Sequence, residues 1–328
     1  MTRKPAATKA YVTSLRHFYY FVINDNPNDV SEELKKKCTS LVVTCTNWIS
    51  VYRKKQKKSR WQNDLRQLPQ LFTPDDLHKL DSSDVVTFAK SVLGKAFLMS
   101  PTMQEFATAR DYLLMYLCLD NASRTGAIAN MTLGEFNASS LKKGSYRIMV
   151  LDHKTLETAG PACIVAQTEL MREFQGYLAL RNRLTGVRTL LTDPVFISWT
   201  GSKMSSSMVS AQINSFWGKA VGHSIERPRI SGALVRKSVV SKVYEDNRHL
   251  SKELAGLMCH SEDTAKRVYA LQEKNIKAGE TVHAIRQIMR KPSGKYTHTP
   301  VHIAETANKN VNLLRLISNT LLQMYHLS

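Results

Sequence analysis

Arg124, Lys154, Arg236, His260 and Tyr269 follow one another in that order through the second half of the chain. Their types suit the breaking and rejoining of a phosphodiester. A tyrosine hydroxyl can attack phosphorus and hold it covalently. An arginine fork grips two non-bridging oxygens at once, which lysine cannot do. A lysine whose pKa is lowered by neighbouring cations can give a proton to a departing oxygen. Taken singly, each residue has a plainer role: an arginine paired with a carboxylate, a solvated hairpin lysine, a histidine closing a helix, a tyrosine packed in a core. The weight lies in their order and in the segments that carry them.

In NASRTGAIANMTLGEF (121–136), Asn121 and Ser123 are helix-capping types. That spacing predicts Arg124 in the first turn of a helix, where unpaired backbone N–H groups favour an anion. SYRIMVL (145–151) and PACIVA (161–166) read as strands joined by the polar loop HKTLETAG, so Lys154 lies just past the first strand. ISGALVRKSVVSKVYED (230–246) predicts a helix capped by Ser231, with Leu234, Val235, Val239 and Val240 as its buried stripe and Arg236 and Lys237 beside it. In ELAGLMCHSEDTAKRVYAL (253–271) one continuous helix would carry Tyr269 about half a turn away from His260. Ser261 and Asp263 are capping residues, so the expected arrangement is a helix ending near His260, a tight turn, and a new helix that brings Tyr269 to the same side.

Around these segments, apolar spacing predicts helices over 8–24 and 31–55, the second opened by Ser31 with Glu32 and Glu33 in its first turn. The basic run RKKQKKSR (53–60) then breaks the pattern, as a solvated helix end, a phosphate-contacting arm or a nuclear import signal. Thr73 and Pro74 start another helix. Residues 99–102, MSPT, read as a linker before an apolar helix over 107–119. Beyond the two strands, helical patterns recur at 167–183, 205–220, 232–245, 250–259 and 264–275. A loop at 291–300 precedes one closing helical segment. The expected fold class is mainly α with a small β-sheet, divided into a helical domain over 1–100, a second domain over 101–276 and a C-terminal helical tail over 277–328.

The 328 residues are 43% hydrophobic, enough for substantial cores, and carry 46 Lys and Arg against 27 Asp and Glu, a formal charge of +19. Such a surface draws polyanions from a distance. Double-stranded DNA is the expected partner, with an anionic membrane as the alternative. Five cysteines without CxxC spacing argue against a disulfide framework and against a zinc module. Neither a metal-ligand cluster nor a P-loop is present in the sequence, which fits a reaction that needs no cofactor. No apolar run reaches about 18 residues, which predicts a soluble protein, neither secreted nor membrane-spanning.

Together the four segments resemble the tyrosine recombinase, or phage-integrase, family. NASRTGAIANMTL is similar to its first arginine box, with Arg124 on the arginine; Lys154 falls on its hairpin lysine; LVRKSVV is similar to the second box, with Arg236 on its arginine. LMCHSEDTAKRVY is the most specific match, its tyrosine nine residues after the histidine. The resemblance covers about 104–275, the helices before it are similar to the family's core-binding domain, and the spacing looks most like Crypton-type or other eukaryotic mobile-element recombinases. It implies cleavage of DNA through a 3′-phosphotyrosyl bond. Tyr269 would be the nucleophile, Arg124, Arg236 and His260 would stabilise the phosphorane, and Lys154 would be the acid. It also implies protomers that assemble on DNA, and residence in the nucleus if the host is eukaryotic, otherwise in the cytoplasm. The sequence departs from the family in three places. Ala233 stands where a histidine is usual, Ala127 where an acid is, and Cys259 where a glycine precedes the histidine. His223 and Lys237 are the candidates to substitute for the missing imidazole; a catalytically weak or inactive DNA-binding derivative is the alternative.

Overall fold

The computed structural model describes residues 4–25, 30–98, 100–184, 186–225, 227–259, 261–262 and 271–290. His260 and Tyr269, and most of the helix expected over 264–275, lie outside the described residues. By its contacts the chain divides into two compact units, Met1–Ala278 and Gly279–Ser328.

The first unit opens with a helical pair, α1 (Pro5–Asn24) and α2 (Glu32–Gln67). Ser31 caps α2 by accepting from Leu34 N–H, as its sequence predicts. The helix then runs on through the basic segment expected to end it. Lys, Arg and Gln are good helix formers, so loss of apolar periodicity at 53–60 signals solvation and not a break. Apart from Cys38, Val42 and the acid Asp64, what this pair buries is a small cluster of Val12, Cys45 and Ile49 with Tyr19 against it.

The short helices α3 (Pro74–Asp81) and α4 (Asp84–Gly94) follow. Thr73 and Asp76 form a reciprocal capping box that starts α3. A second box, Thr102 with Glu105, starts α5 (Met103–Asn121), so the expected linker is in part a helix cap. Helix α5 is buried nearly all round: Phe106, Leu113, Leu114, Met115 and Leu117 are fully enclosed, and the buried Arg110 and Asp111 pair with each other. A helix of that composition belongs at the centre of a core, and α4, α9 (Thr168–Arg181), α10 (Ser206–Ala220) and α11 (Gly232–Asp246) pack around it. Helices α4 and α9 approach so closely that a Cβ on Gly176 would lie 2.6 Å from the Leu93 carbonyl oxygen.

Between α5 and α9 lie the short helices α6 (Thr125–Asn130) and α7 (Leu133–Asn137), a single helical turn α8 (Leu156–Ala159) inside the segment expected to be a plain loop, and a three-stranded antiparallel sheet in the order β1-β2-β3. Strands β2 (Ser145–Val150) and β3 (Ala162–Gln167) pair in the register Val150↔Ala162 to Ser145↔Gln167 and are the two expected strands. Strand β1 (Ser140–Lys142) is an addition that sequence reading missed: all three of its residues are exposed, so it carries no apolar alternation. The fold class is as expected, mainly α with a small sheet.

The loop from α2 to α3 is anchored on α10 and α11. Phe72 stacks on Trp217 with ring centroids 4.3 Å apart, and Phe72 N–H donates to Ser238 Oγ at 3.0 Å. Arg227 lies over both rings. It donates to the Gln70 and Leu71 carbonyls at 2.9 Å each and to Asp76 Oδ2 at 2.8 Å.

Candidate active site

Arg124 is the N-cap residue of α6, in extended conformation, and not a first-turn residue as the sequence suggested. The reason is upstream. Asn121 is still the last residue of α5, and Ala122 turns into the left-handed region at φ 46 to close that helix. The Asn121 amide is occupied elsewhere, accepting from Val165 N–H at 2.7 Å and donating to the Val165 carbonyl at 2.9 Å, so it fastens β3 instead of capping α6. Arg124 thus emerges between two helices with its side chain half-buried.

The β2–β3 loop comes to meet it. Glu135 caps α7 through Thr132 N–H and accepts from Leu151 N–H at 2.8 Å, and Asn130 donates to the Asp152 carbonyl at 3.1 Å. These contacts fix the chain just ahead of exposed Lys154. Next to it, Thr155 Oγ1 accepts from Arg124 Nη1 at 2.6 Å and lies 3.4 Å from His153 Nδ1, while His153 Nε2 lies 2.9 Å from the Gly160 carbonyl. A carbonyl can only accept, so Nε2 carries a proton, and contacts run from Arg124 through Thr155 and His153 to the far side of the loop. Sequence reading missed Thr155 and His153; their one signal is adjacency to Lys154.

Helix α11 approaches from the other side. Ser231 caps it, accepting from Leu234 N–H; Leu234, Val235 and Val240 are buried as predicted, whereas Val239 is only half-buried. Its first residue is glycine for a steric reason: a Cβ at Gly232 would collide with Thr125 Cγ2. Thr125 cannot easily turn aside, because its hydroxyl is 2.8 Å from Ser206 Oγ. One turn along, Arg236 is half-buried beside α5. Burial pushes the Cys118 thiol up to about 12, and the nearby Arg236 guanidinium opposes that rise.

The third approach is the end of α12 (Ser251–Leu257). Ala122, Val240, Tyr244, Ala255 and Met258 form one apolar cluster that draws the ends of α5, α11 and α12 together. Cys259 follows with φ 52, the left-handed region that favours glycine. This is the residue standing where the family resemblance calls for glycine, and the backbone keeps the conformation that glycine would supply. Its Sγ is 3.7 Å from the Pro161 carbonyl. Burial pushes the Cys259 thiol up, while the Arg124 guanidinium pulls it down. On the far side of His260, Glu262 is held through its carbonyl by Tyr244 Oη at 3.4 Å and through its carboxylate by Ser251 Oγ at 3.1 Å.

Three of the five sequence-selected residues are therefore described, and their local chains converge. Arg124 bonds to the residue beside Lys154, the residue after Arg124 meets the first residue of the helix bearing Arg236, and Arg124 acts on the thiol that precedes His260. Ala233 is exposed at the start of α11 and carries no group that could take a proton. Lys237 is committed: its Nζ lies 3.1 Å from Asp64 Oδ1 and bonds to Gln67. His223 is exposed beyond α10. Among the described residues there is no group of three or more His, Cys, Asp or Glu that could hold a metal, and no helix long and apolar enough to cross a membrane.

No protein-family model matches the chain, and no curated protein matches it. Among solved structures, the chain is similar to the XerH site-specific recombinase bound to a palindromic difH substrate in a post-cleavage complex. The identity is 15% and the TM-score 0.47, over 67% of this chain and 54% of that one. It is also similar to a lambda integrase (75–356) dimer bound to a COC′ core site, at 12% identity and a TM-score of 0.39, over 92% of this chain and 94% of that one. The match to XerH spans about half the length of that recombinase.

Proposed function

We propose that this protein binds double-stranded DNA and breaks and rejoins it through Tyr269. The observation that carries the reading is the convergence on Arg124 of the Lys154 loop, the start of the Arg236 helix and the turn before His260. Two arginines acting on one phosphate would suit its passage between a tetrahedral and a pentacovalent state, because a fixed guanidinium stabilises the extra charge without reorganising. In the reaction, Tyr269 Oη forms a bond to phosphorus and its proton leaves to solvent. The bond from phosphorus to the 5′ oxygen breaks, and Lys154 supplies the proton that the oxygen needs to depart. Arg124, Arg236 and His260 hold the non-bridging oxygens. The 3′-phosphotyrosyl bond retains the energy of the broken linkage, so a 5′ hydroxyl reverses the step without a nucleotide cofactor. Exchange between two duplexes requires protomers assembled on DNA. A mobile-element role, in the nucleus of a eukaryotic host or otherwise in the cytoplasm, follows from the same resemblance.

A second reading, DNA binding without cleavage, is favoured by one specific observation: Ala233 has no imidazole, and Lys237, about one turn further along α11, is tied to Asp64. A nicked suicide duplex separates the two. The cleaving protein is expected to form a denaturation-resistant adduct that Tyr269→Phe abolishes while leaving duplex affinity intact, and Arg124→Ala or Arg236→Ala is expected to lose the adduct as well. Salt-sensitive binding with no adduct on any such substrate, including with Ala233→His, selects the second reading.

A further inference from the structure

Apart from the Arg124 site, a cleft of about 880 Å³ opens between the start of α1, the last turns of α2 and α11. Four cations, Lys4, Arg60, Arg66 and Lys237, line it, together with amide and hydroxyl groups and a single acid, Asp64. The basic run 53–60 leads directly into it along α2. Asp64 is buried, with one carboxylate oxygen 3.1 Å from Lys237 Nζ and the other 3.9 Å from Arg60 Nε. Two oxygens of one anion shared between two cations is also how a phosphate group would sit there. Lys237 immediately follows Arg236, so an anion held at this cleft lies against the same helix as the proposed reacting phosphate.

We propose that this cleft is a binding site for a backbone phosphate of DNA, and that Asp64 occupies it in the free protein as an internal stand-in for that phosphate. The proposal rests on the DNA-binding reading above and adds to it a competitor within the chain. An incoming strand must displace the carboxylate before it gains Lys237, so Asp64 restrains affinity for duplex of any sequence. A purely structural ion pair between α2 and α11 makes the opposite forecast, because removing it would loosen the cleft and weaken binding.

The test is fluorescence anisotropy of the full chain on a short random-sequence duplex over a series of salt concentrations, with circular dichroism and thermal unfolding to verify each variant's fold. Asp64→Asn is expected to tighten binding about tenfold, the worth of one charge-assisted contact. It should also steepen the log–log salt dependence by about 0.9, the slope for one further neutralised phosphate. Gln67→Glu, which adds a second carboxylate at Lys237, is expected to weaken binding by a similar factor and keeps the test open should Asp64→Asn fail to fold. In a Lys237→Met background the gain from Asp64→Asn should vanish. Folded Asp64→Asn protein that binds no better than wild type, or a gain that persists without Lys237, overturns the site while wild-type salt-sensitive binding leaves the DNA reading standing. Absence of duplex binding by every form removes both.

Discussion

The helical pair α1–α2 and the layers around α5 are built on different terms. Around α5, Phe106, Leu113, Phe174, Tyr177, Phe196, Phe216 and Trp217 are almost wholly enclosed, and aromatic contacts link several of them. In the pair, Tyr11, Phe18, Trp48 and Trp61 are each about half exposed, and the buried cluster joining the two helices is three residues. What fastens α2 itself to the rest is polar, Lys237 with Asp64 and Gln67, and just beyond its end the Arg227 pad combines hydrogen bonds with the Phe72–Trp217 stack. Close packing is stiff and sensitive to one methylene, whereas charged and hydrogen-bonded contacts can be exchanged for those of an incoming polyanion. The molecule thus keeps its proposed chemistry on the rigid part and its largest basic run on the part whose attachments can be traded.

The sharpest break in that contrast is Phe106→Ala. It should cost about 3–5 kcal/mol, lowering the denaturant midpoint of the whole first unit. Ile49→Ala removes a smaller apolar group from the small cluster, at a cost of about 2 kcal/mol. Amide exchange should quicken along α1 and α2 and stay unchanged in α5; equal quickening in both would mean that the two regions unfold as one. Arg227→Met leaves a stem over Phe72 and Trp217 but deprives two carbonyls and Asp76 of their donor. The expected loss is about 1–3 kcal/mol, with faster protease cleavage near residues 68–72.

The smallest effect is that of acid on the same pad. Burial works to raise the Asp76 carboxyl, but the Arg227 hydrogen bond and the Thr73 contacts outweigh it and hold the group below its ordinary value. A depressed pKa in the folded state means that Asp76 stabilises above the ordinary carboxylate range and that its contribution fades as pH falls through that range and below. Wild type should lose more stability than Asp76→Asn over this acid interval, by urea titration at stepped pH.

Legibility in the sequence followed the same division. Helix α11 could be read whole, because Ser231 and the stripe Leu234, Val235 and Val240 each signal the same element. The β2–β3 hairpin was equally plain from its apolar strands and polar loop. The far end of α2 was not, since a helix with no buried side over 53–60 has no periodicity to show. The setting of Arg124 was hidden for another reason. Asn121 and Ser123 look like caps in sequence, but Asn121 serves a strand 44 residues away, a long-range contact that no local pattern encodes. Thr155, which positions Arg124, is an unmarked threonine in a loop, and only the folded chain reveals its partner.

The Asn121 amide also has a bearing on how copies of this protein behave near one another. Strand β3 lies at the rim of the sheet, where outward-facing N–H and C=O groups would ordinarily offer a template for a foreign strand. By taking both backbone groups of Val165, Asn121 plugs that rim with two atoms of side chain. Molecules crowded side by side on a shared polymer, as the proposed activity demands, are thereby denied edge-to-edge β pairing at this position.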